Sequence, residues 1–300
     1  MKSNDLNILS ISPLPSPEEI KSQLPMSLAS VDHVVQARRQ IMDILDGKDP
    51  RLMVIVGPCS IHDHESAIEY AQRLKELSED VNDKLLLIMR VYFEKPRTTV
   101  GWKGLIYDPD INGAYNIEKG IFSARSLLLK IVELGLPAAT EMLDLVLPQY
   151  MADAVSWAAI GARTTESQTH RQLASGLSMP VGFKNSTDGS IDAAIDAIST
   201  ARSCHSFIGV TEDGRSGVFR TTGNPYGHLV LRGGNNGPNY GAEHIAFVKV
   251  AMRKRGLAPH IIIDCSHANS GKKYEFQRIA FYDAIDQVLA GFYGVAAVEA

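Results

Sequence analysis

Only three of the 300 residues are cysteine, Cys59, Cys204 and Cys265. They are too few and too unevenly spaced for a disulfide framework, so a reducing compartment with one or two functional thiols is expected. The first residues, Met1-Lys2-Ser3-Asn4-Asp5-Leu6, lack the apolar core of a secretory signal, and no apolar run approaches the length of a membrane span. A cytoplasmic protein without a membrane partner is the expectation. Surplus positive charge is missing too: the net charge is -4 and the pI near 6.1. That excludes a general nucleic-acid binder, because counterion release needs a broad basic face. Internal repeats, low-complexity tracts and a flexible interdomain linker are also absent.

What is present is enough chain for a large core, with 45% of residues hydrophobic and 21% charged. Residues 1–45 read as an N-terminal extension, an oligomer or regulatory arm punctuated by Leu14-Pro15-Ser16-Pro17 and Leu24-Pro25 and ending in a helix over 30–45. Residues 46–300 read as one catalytic domain. Within it, strands are expected at 52–56, 85–91, 138–142, 155–160, 181–184, 206–210, 261–265 and 293–298. Helices are expected at 65–78, 121–134, 168–175, 191–201, 242–255 and 274–289. The β-then-α rhythm implies an α/β fold with a parallel sheet. Eight strands favour a closed (β/α)8 TIM barrel, with an open doubly wound sheet as the alternative. Thr211-Glu212-Asp213-Gly214-Arg215 reads as the turn of a hairpin inserted after strand six.

In such a barrel, catalytic groups sit at the C-terminal ends of the strands. There this chain collects its polar residues: Cys59, Arg90, Glu141, Arg163, Lys184, Arg232, His267 and Glu299. Side-chain alternation groups Met53, Ile55, Gly57 and Cys59 on one face, likewise Leu86, Ile88 and Arg90, and likewise Ile261, Ile263, Cys265 and His267. A lone cysteine or histidine is by default a core or structural residue. Cys59, His267 and Glu299 converging at one rim would instead offer a thiolate, an imidazole and a carboxylate. That donor set suits a divalent transition metal ion such as Mn, Fe, Co or Zn.

The richest stretch is the loop from Phe93 to Gly104, which places Lys95, Arg97, Lys103, Thr98 and Thr99 and two glycines directly after an apolar strand. A basic run is by default a solvated face. Here Pro96 stiffens the backbone, and Arg97 beside Thr98 offers a guanidinium fork and a hydroxyl to phosphate oxygens. Arg90, Lys95, Arg97, Lys103, Arg163, Lys184 and Arg232 would crowd one mouth and repel one another unless polyanions neutralise them. Two anionic substrates, at least one carrying a carboxylate, are the simplest explanation. Lys103 is the first of these cations expected to serve an ion pair instead.

Gly57-Pro58-Cys59-Ser60-Ile61-His62-Asp63, the Phe93 to Gly104 loop, Gly161-Ala162-Arg163-Thr164-Thr165-Glu166-Ser167-Gln168, Gly182-Phe183-Lys184-Asn185, Leu231-Arg232-Gly233-Gly234 and Asp264-Cys265-Ser266-His267-Ala268-Asn269-Ser270 together resemble the motifs of 3-deoxy-D-arabino-heptulosonate 7-phosphate (DAHP) synthase. The likeness is to the short, feedback-regulated bacterial and fungal class. It is collinear over nearly the whole chain, and Lys95-Pro96-Arg97-Thr98 separates it from the sister family that makes 3-deoxy-octulosonate 8-phosphate. The resemblance implies condensation of phosphoenolpyruvate with erythrose 4-phosphate and release of phosphate, the first step of aromatic amino-acid synthesis. It assigns Arg90, Arg163, Lys184 and Arg232 to phosphoenolpyruvate and Arg97 and Thr98 to the sugar phosphate, with Lys95 between them and Lys103 near by. Lys95 would give a proton to the aldehyde oxygen, beside a metal acting as Lewis acid; Glu141 would orient water, and His267 would serve at the same centre. It also implies inhibition by an aromatic amino acid, tyrosine favoured, at a site near Gln149 and Ser178, in a homodimer or homotetramer.

Departures from the family pattern are the end of the chain at Glu299-Ala300, a short Gly291-Phe292-Tyr293-Gly294 connection, and Ser186 at a usual glycine. A further aspartate ligand and a final helix are expected to be missing, leaving the barrel incomplete at its C-terminus. Three readings stay open: a working synthase, a catalytically impaired synthase-like protein that binds ligands or a partner, and a different barrel aldolase.

Overall fold

A computed structural model describes residues 3–291 and 295–299, the side chains of 295 and 296 excepted. Two helices lead. In α1 (Pro17–Gln23) the Ser16 hydroxyl accepts from the Glu19 N–H while the Glu19 carboxylate accepts from the Ser16 N–H, a reciprocal cap. α2 (Leu28–Leu45) is capped by Ser27 and buries Val34, Ala37, Ile41, Ile44 and Leu45. There follow β1 (Leu52–Val56), α3 (His64–Val81), β2 (Leu85–Arg90), α4 (Ile117–Glu133), β3 (Ala138–Glu141), α5 (Pro148–Met151), β4 (Trp157–Ile160), α6 (Gln168–Gly176), β5 (Val181–Lys184) and α7 (Asp192–Ala201). The chain continues through β6 (Ser206–Val210), β7 (Ser216–Arg220), β8 (Gly227–Leu231), α8 (Ala242–Lys254), β9 (Ile261–Asp264), α9 (Gln277–Leu289) and β10 (Val295–Glu299). Of the strand expected over 293–298, Tyr293 and Gly294 lie outside the described residues, as do Phe292 and Ala300.

Eight strands close into a parallel barrel in the order β1-β10-β9-β8-β5-β4-β3-β2, the (β/α)8 architecture. One strand assignment is corrected. Ser206–Val210 is not a barrel strand: β6 pairs antiparallel with β7 in a separate two-stranded sheet, and β8 is the sixth stave, between β5 and β9. The hairpin therefore precedes the sixth stave. Burial explains it, because β8 is buried at all five positions whereas β6 and β7 expose alternate residues, and a barrel strand is covered on both faces.

The core has two layers. Between strands and helices lie residues such as Val54, Leu87, Ala158, Phe183, Ile261 and Ile263. Inside the barrel, Met53, Ile55, Leu86, Ile88, Trp157, Val230 and Ile262 pack with Ile41, Ile44 and Leu45 of α2. The alternation expected for β1 and β2 matches this layering. That for β9 is reversed: Ile262 faces the interior, and Cys265 joins the helix layer with Ile261 and Ile263. Asp264, next in phase with Ile262, therefore points inward, where it bonds Lys184. His267 does not belong to that alternation; its φ of +53 marks a left-handed turn beyond the strand.

The interior also holds a polar pair. The Trp157 indole N–H donates to Nε2 of His228 at 2.9 Å, and Nδ1 of His228 lies 2.9 Å from the Tyr226 carbonyl. Each ring nitrogen has a partner only if the imidazole is neutral with its proton on Nδ1. Burial lowers the His228 pKa to about 4. No helix among the described residues is long and apolar enough to cross a membrane.

Candidate active site

A cleft of about 860 Å³ opens at the C-terminal ends of the staves. It is lined by Cys59, Tyr92, Lys95, Arg97, Thr98, Glu141, Arg163, Lys184, Arg232 and His267, among others. Seven separate segments supply these ten residues; all but Tyr92 are among the residues singled out from the sequence, with Lys95, Arg97 and Thr98 in the loop that follows a strand. Arg90 and Glu299 are buried behind the lining, and both contact residues that form it. Lys103 does not line the cleft: it is exposed, and its carbonyl accepts the Lys95 N–H at 2.8 Å.

The floor is a charge-balanced cluster. Lys184 Nζ stands 2.9 Å from Oδ2 of Asp264 and 2.9 Å from each carboxylate oxygen of Glu299. Arg90 donates through Nε and Nη2 to the Gly57 carbonyl at 3.0 and 2.6 Å, with Nη1 3.4 Å from Glu299. The Tyr92 hydroxyl donates to Glu299 at 3.0 Å, and its ring lies 5.6 Å from the Arg90 guanidinium and 5.9 Å from Lys184 Nζ. Burial alone would lower the Lys184 pKa, yet Asp264 and Glu299 hold it well above the ordinary lysine range. Burial would raise Asp264, and Lys184 with His267 overrides it, so its carboxyl sits far below the usual range. The seven cations thus do not all await a polyanion. Two carboxylates balance Lys184 and Arg90, leaving Lys95, Arg97, Arg163 and Arg232 as the open positive face of the cleft.

Local structure holds that face. Lys95 Nζ donates to Cys59 Sγ at 3.1 Å, and Arg97 Nε to the Trp102 carbonyl at 2.7 Å. The loop returns on itself at Gly104, whose φ is +108 and where any Cβ would collide with the Phe93 carbonyl. Asn185 fixes Arg232 by accepting its N–H at 2.8 Å and donating to the Gly233 carbonyl at 3.0 Å. Glu141 lies against the bare Cα of Gly161, and burial raises its pKa, with Lys184 acting in the opposite sense. Sequence reading gave no role to Asp264, Tyr92 or Asn185; the phase of Asp264 with Ile262 was the available signal.

The proposed metal ligands are only partly gathered. Cys59 and His267 line the cleft, but Nδ1 of His267 is taken up by Oδ2 of Asp264 at 2.8 Å and Oε2 of Glu299 by Lys184 Nζ at 2.9 Å. Among the described residues no group of three His, Cys, Asp or Glu side chains is placed to hold a metal ion. The expected convergence of Cys59, His267 and Glu299 is therefore not what the structure shows. Lys184, Arg90 and Tyr92 engage Glu299, Asp264 lies 2.8 Å from the His267 ring, and Lys95 is bonded to the Cys59 sulfur.

A second and larger cavity, of about 1130 Å³, lies away from this cleft. Gln149 and Ser178 both line it, with Leu177, Phe207, Phe219 and Lys21 from α1. The two residues expected at a regulatory site thus share one cavity.

A (β/α)8 barrel with a basic cleft at its strand ends, a lysine at the centre and a paired lysine–carboxylate floor defines an enzyme that handles phosphorylated, carboxylated substrates. The chain belongs to the DAHP synthetase I family, whose profile matches residues 23–300. It is 51% identical over 288 residues to the Tyr-sensitive phospho-2-dehydro-3-deoxyheptonate aldolase of Salmonella typhimurium, covering 96% of this chain and 81% of that one. It is also 51% identical over 290 residues to the Phe-sensitive enzyme of Escherichia coli K12, covering 97% and 83%. The structure of the phospho-2-dehydro-3-deoxyheptonate aldolase of Francisella tularensis superposes with a TM-score of 0.96 at 45% identity, covering 98% of this chain and 86% of that one.

Proposed function

We propose that the basic cleft condenses phosphoenolpyruvate with erythrose 4-phosphate and water to give DAHP and phosphate, opening the shikimate pathway to the aromatic amino acids. One observation carries the assignment of the site: Lys95, Arg97, Arg163, Arg232 and Lys184 converge on a single cleft that also holds Glu141. Arg163 and Arg232 in the lining, with Lys184 at the floor, receive the phosphate and carboxylate of phosphoenolpyruvate, and Arg90, buried behind that floor, adds its positive charge without lining the cleft. Arg97 and Thr98 receive the sugar phosphate. The enol carbon attacks the aldehyde, negative charge grows on the aldehyde oxygen, and Lys95 delivers the proton that quenches it. Glu141 orients the water that adds to the cationic carbon left behind, and phosphate departs. Fixing both anions before reaction removes much of the orientation cost.

Enzymes of this family use a divalent metal ion, which supplies Lewis acidity when bound. Cys59 and His267 are the donors that border the cleft, and their thiol and imidazole chemistry fits a transition metal. As placed they do not form a ligand group with Glu299, so the steps above rest on the protein's own side chains.

The second cavity is read as the feedback site for an aromatic amino acid, with Gln149 and Ser178 in its wall and tyrosine the favoured ligand. The segment ahead of α1, where Leu6, Leu9 and Ile11 are exposed, is read as an arm that a homodimer or homotetramer would use. Assaying phosphate release from the two substrates, with and without each aromatic amino acid, tests both readings. No substrate-dependent phosphate release in metal-supplemented protein would reject the first, and indifference to all three amino acids the second.

A further inference from the structure

Glu94 and Asp144 approach one hydroxyl from two sides. Glu94 opens the loop that carries Lys95, Arg97 and Thr98 and is only 5% exposed. Its Oε2 accepts the N–H groups of Leu143 and Asp144, just past β3, at 3.3 and 3.4 Å. Its Oε1 lies 3.3 Å from the Tyr107 hydroxyl, which lies 3.4 Å from Oδ2 of Asp144. The other Asp144 oxygen accepts from the N–H groups of Val146 and Leu147. A tyrosine has one hydroxyl proton. With both carboxylates ionised, one of them must face the lone pairs of the phenol oxygen. A proton on Oε1 of Glu94 removes the conflict: Glu94 donates to Tyr107, Tyr107 donates to Asp144, and Oε2 remains free to accept both backbone N–H groups.

We propose that Glu94 is a positioning residue for this active site: protonated, it completes a Glu94–Tyr107–Asp144 chain that fastens the Lys95 loop to the segment after β3, and ionised, it releases that loop. The proposal rests on reading the loop as the sugar-phosphate site. The groups facing Glu94 are Tyr107 from the turn that follows its loop, Asp144 from the segment beyond β3, and Glu141 at the end of β3. Burial first, then Asp144 and Glu141, raise the Glu94 pKa to about 8, against the pull of the two backbone amides. The protonated form therefore prevails at neutral pH and is lost as pH rises through about 8. Lys95, the next residue, inherits any shift of the Glu94 backbone.

The test is a set of steady-state pH profiles for the wild-type enzyme, Glu94→Gln, Glu94→Leu and Arg97→Ala, with each substrate varied in turn. In the wild type, KM for erythrose 4-phosphate is expected to rise severalfold above about pH 8, with KM for phosphoenolpyruvate changing less. Glutamine donates to Tyr107 as the carboxylic acid does, so Glu94→Gln should keep the low KM across the alkaline range. Glu94→Leu should hold KM at about tenfold above the neutral wild-type value across the whole pH range, with a smaller effect on kcat. A purely structural role would lower thermal stability without separating the two pH profiles. If Glu94→Gln shows the same alkaline rise as the wild type, or the wild type shows none, the proposal falls. Arg97→Ala separates the two failures, since an unchanged KM for erythrose 4-phosphate there would instead reject the sugar-phosphate reading of the loop. Should Glu94→Leu fail to fold, the comparison of Glu94→Gln with wild type still decides.

Discussion

Lys184 and Asp264 form a wholly buried ion pair across the barrel, Nζ to Oδ2 2.9 Å, joining the end of β5 to the end of β9. Such a pair adds little over an apolar replacement, yet removing Asp264 leaves Glu299 alone to balance both Lys184 and Arg90 and so strands one buried positive charge. Asp264→Ala is expected to destabilise the fold by about 3 kcal/mol or more, read by denaturant unfolding. Because folding depresses the Asp264 pKa, its contribution is present above the unfolded value of about 4 and is lost as pH falls below that. Unfolding curves for Asp264→Ala and wild type should therefore converge toward strong acid; parallel curves would contradict the linkage.

Lys95→Ala should lower kcat by about 100-fold or more, the usual scale for a lost general acid. Lys184, Arg163 and Arg232 remain, so phosphoenolpyruvate binding measured by calorimetry should persist. Near-normal turnover would remove Lys95 from the reaction.

At Gly161, an added methyl would collide with Oε1 of Glu141. Gly161→Ala is expected to displace that carboxyl and reduce kcat while the barrel stays folded, as circular dichroism would report. Glu141→Gln should reproduce the loss. Full activity in both variants would show that water addition does not need this group.

His228 gives a pH signature of stability. Its folded pKa of about 4 lies below the unfolded value of about 6.5, so the fold favours the neutral ring. The contribution is complete above pH 6.5 and is lost as pH falls from there through about 4, amounting to about 3 kcal/mol. His228→Leu should flatten the pH dependence of unfolding over that window even if its stability at neutral pH is lower. An unchanged slope would place the titrating group elsewhere.

The barrel and most of its cleft were legible because both depend on local pattern. Apolar runs of stave length recur in β1, β2 and β5, and each ends in a charged or reactive residue such as Cys59, Arg90 or Lys184. What escaped depended on pairing across the chain. Ser206–Val210 carries as strong a strand signal as Gly227–Leu231, and only the burial of both faces of β8 marks it as the stave. Asp264 and Glu299 are distant in sequence from Lys184, so nothing local revealed that this lysine is already neutralised. The left-handed turn at His267 likewise defeats an alternation count that assumes extended backbone.

Among the described residues the β6–β7 hairpin shares no ladder hydrogen bond with the barrel; its two strands pair with each other. Phe207, Ile208 and Phe219 nevertheless wall the larger cavity. A ribbon that carries none of the cylinder's load can exchange its side chains while every stave and the whole reaction floor stay in register. On the proposed reading of this cavity as the feedback site, selection has a dial for what it accepts that turns independently of catalysis, and one scaffold can yield a set of sister enzymes that answer to different end products.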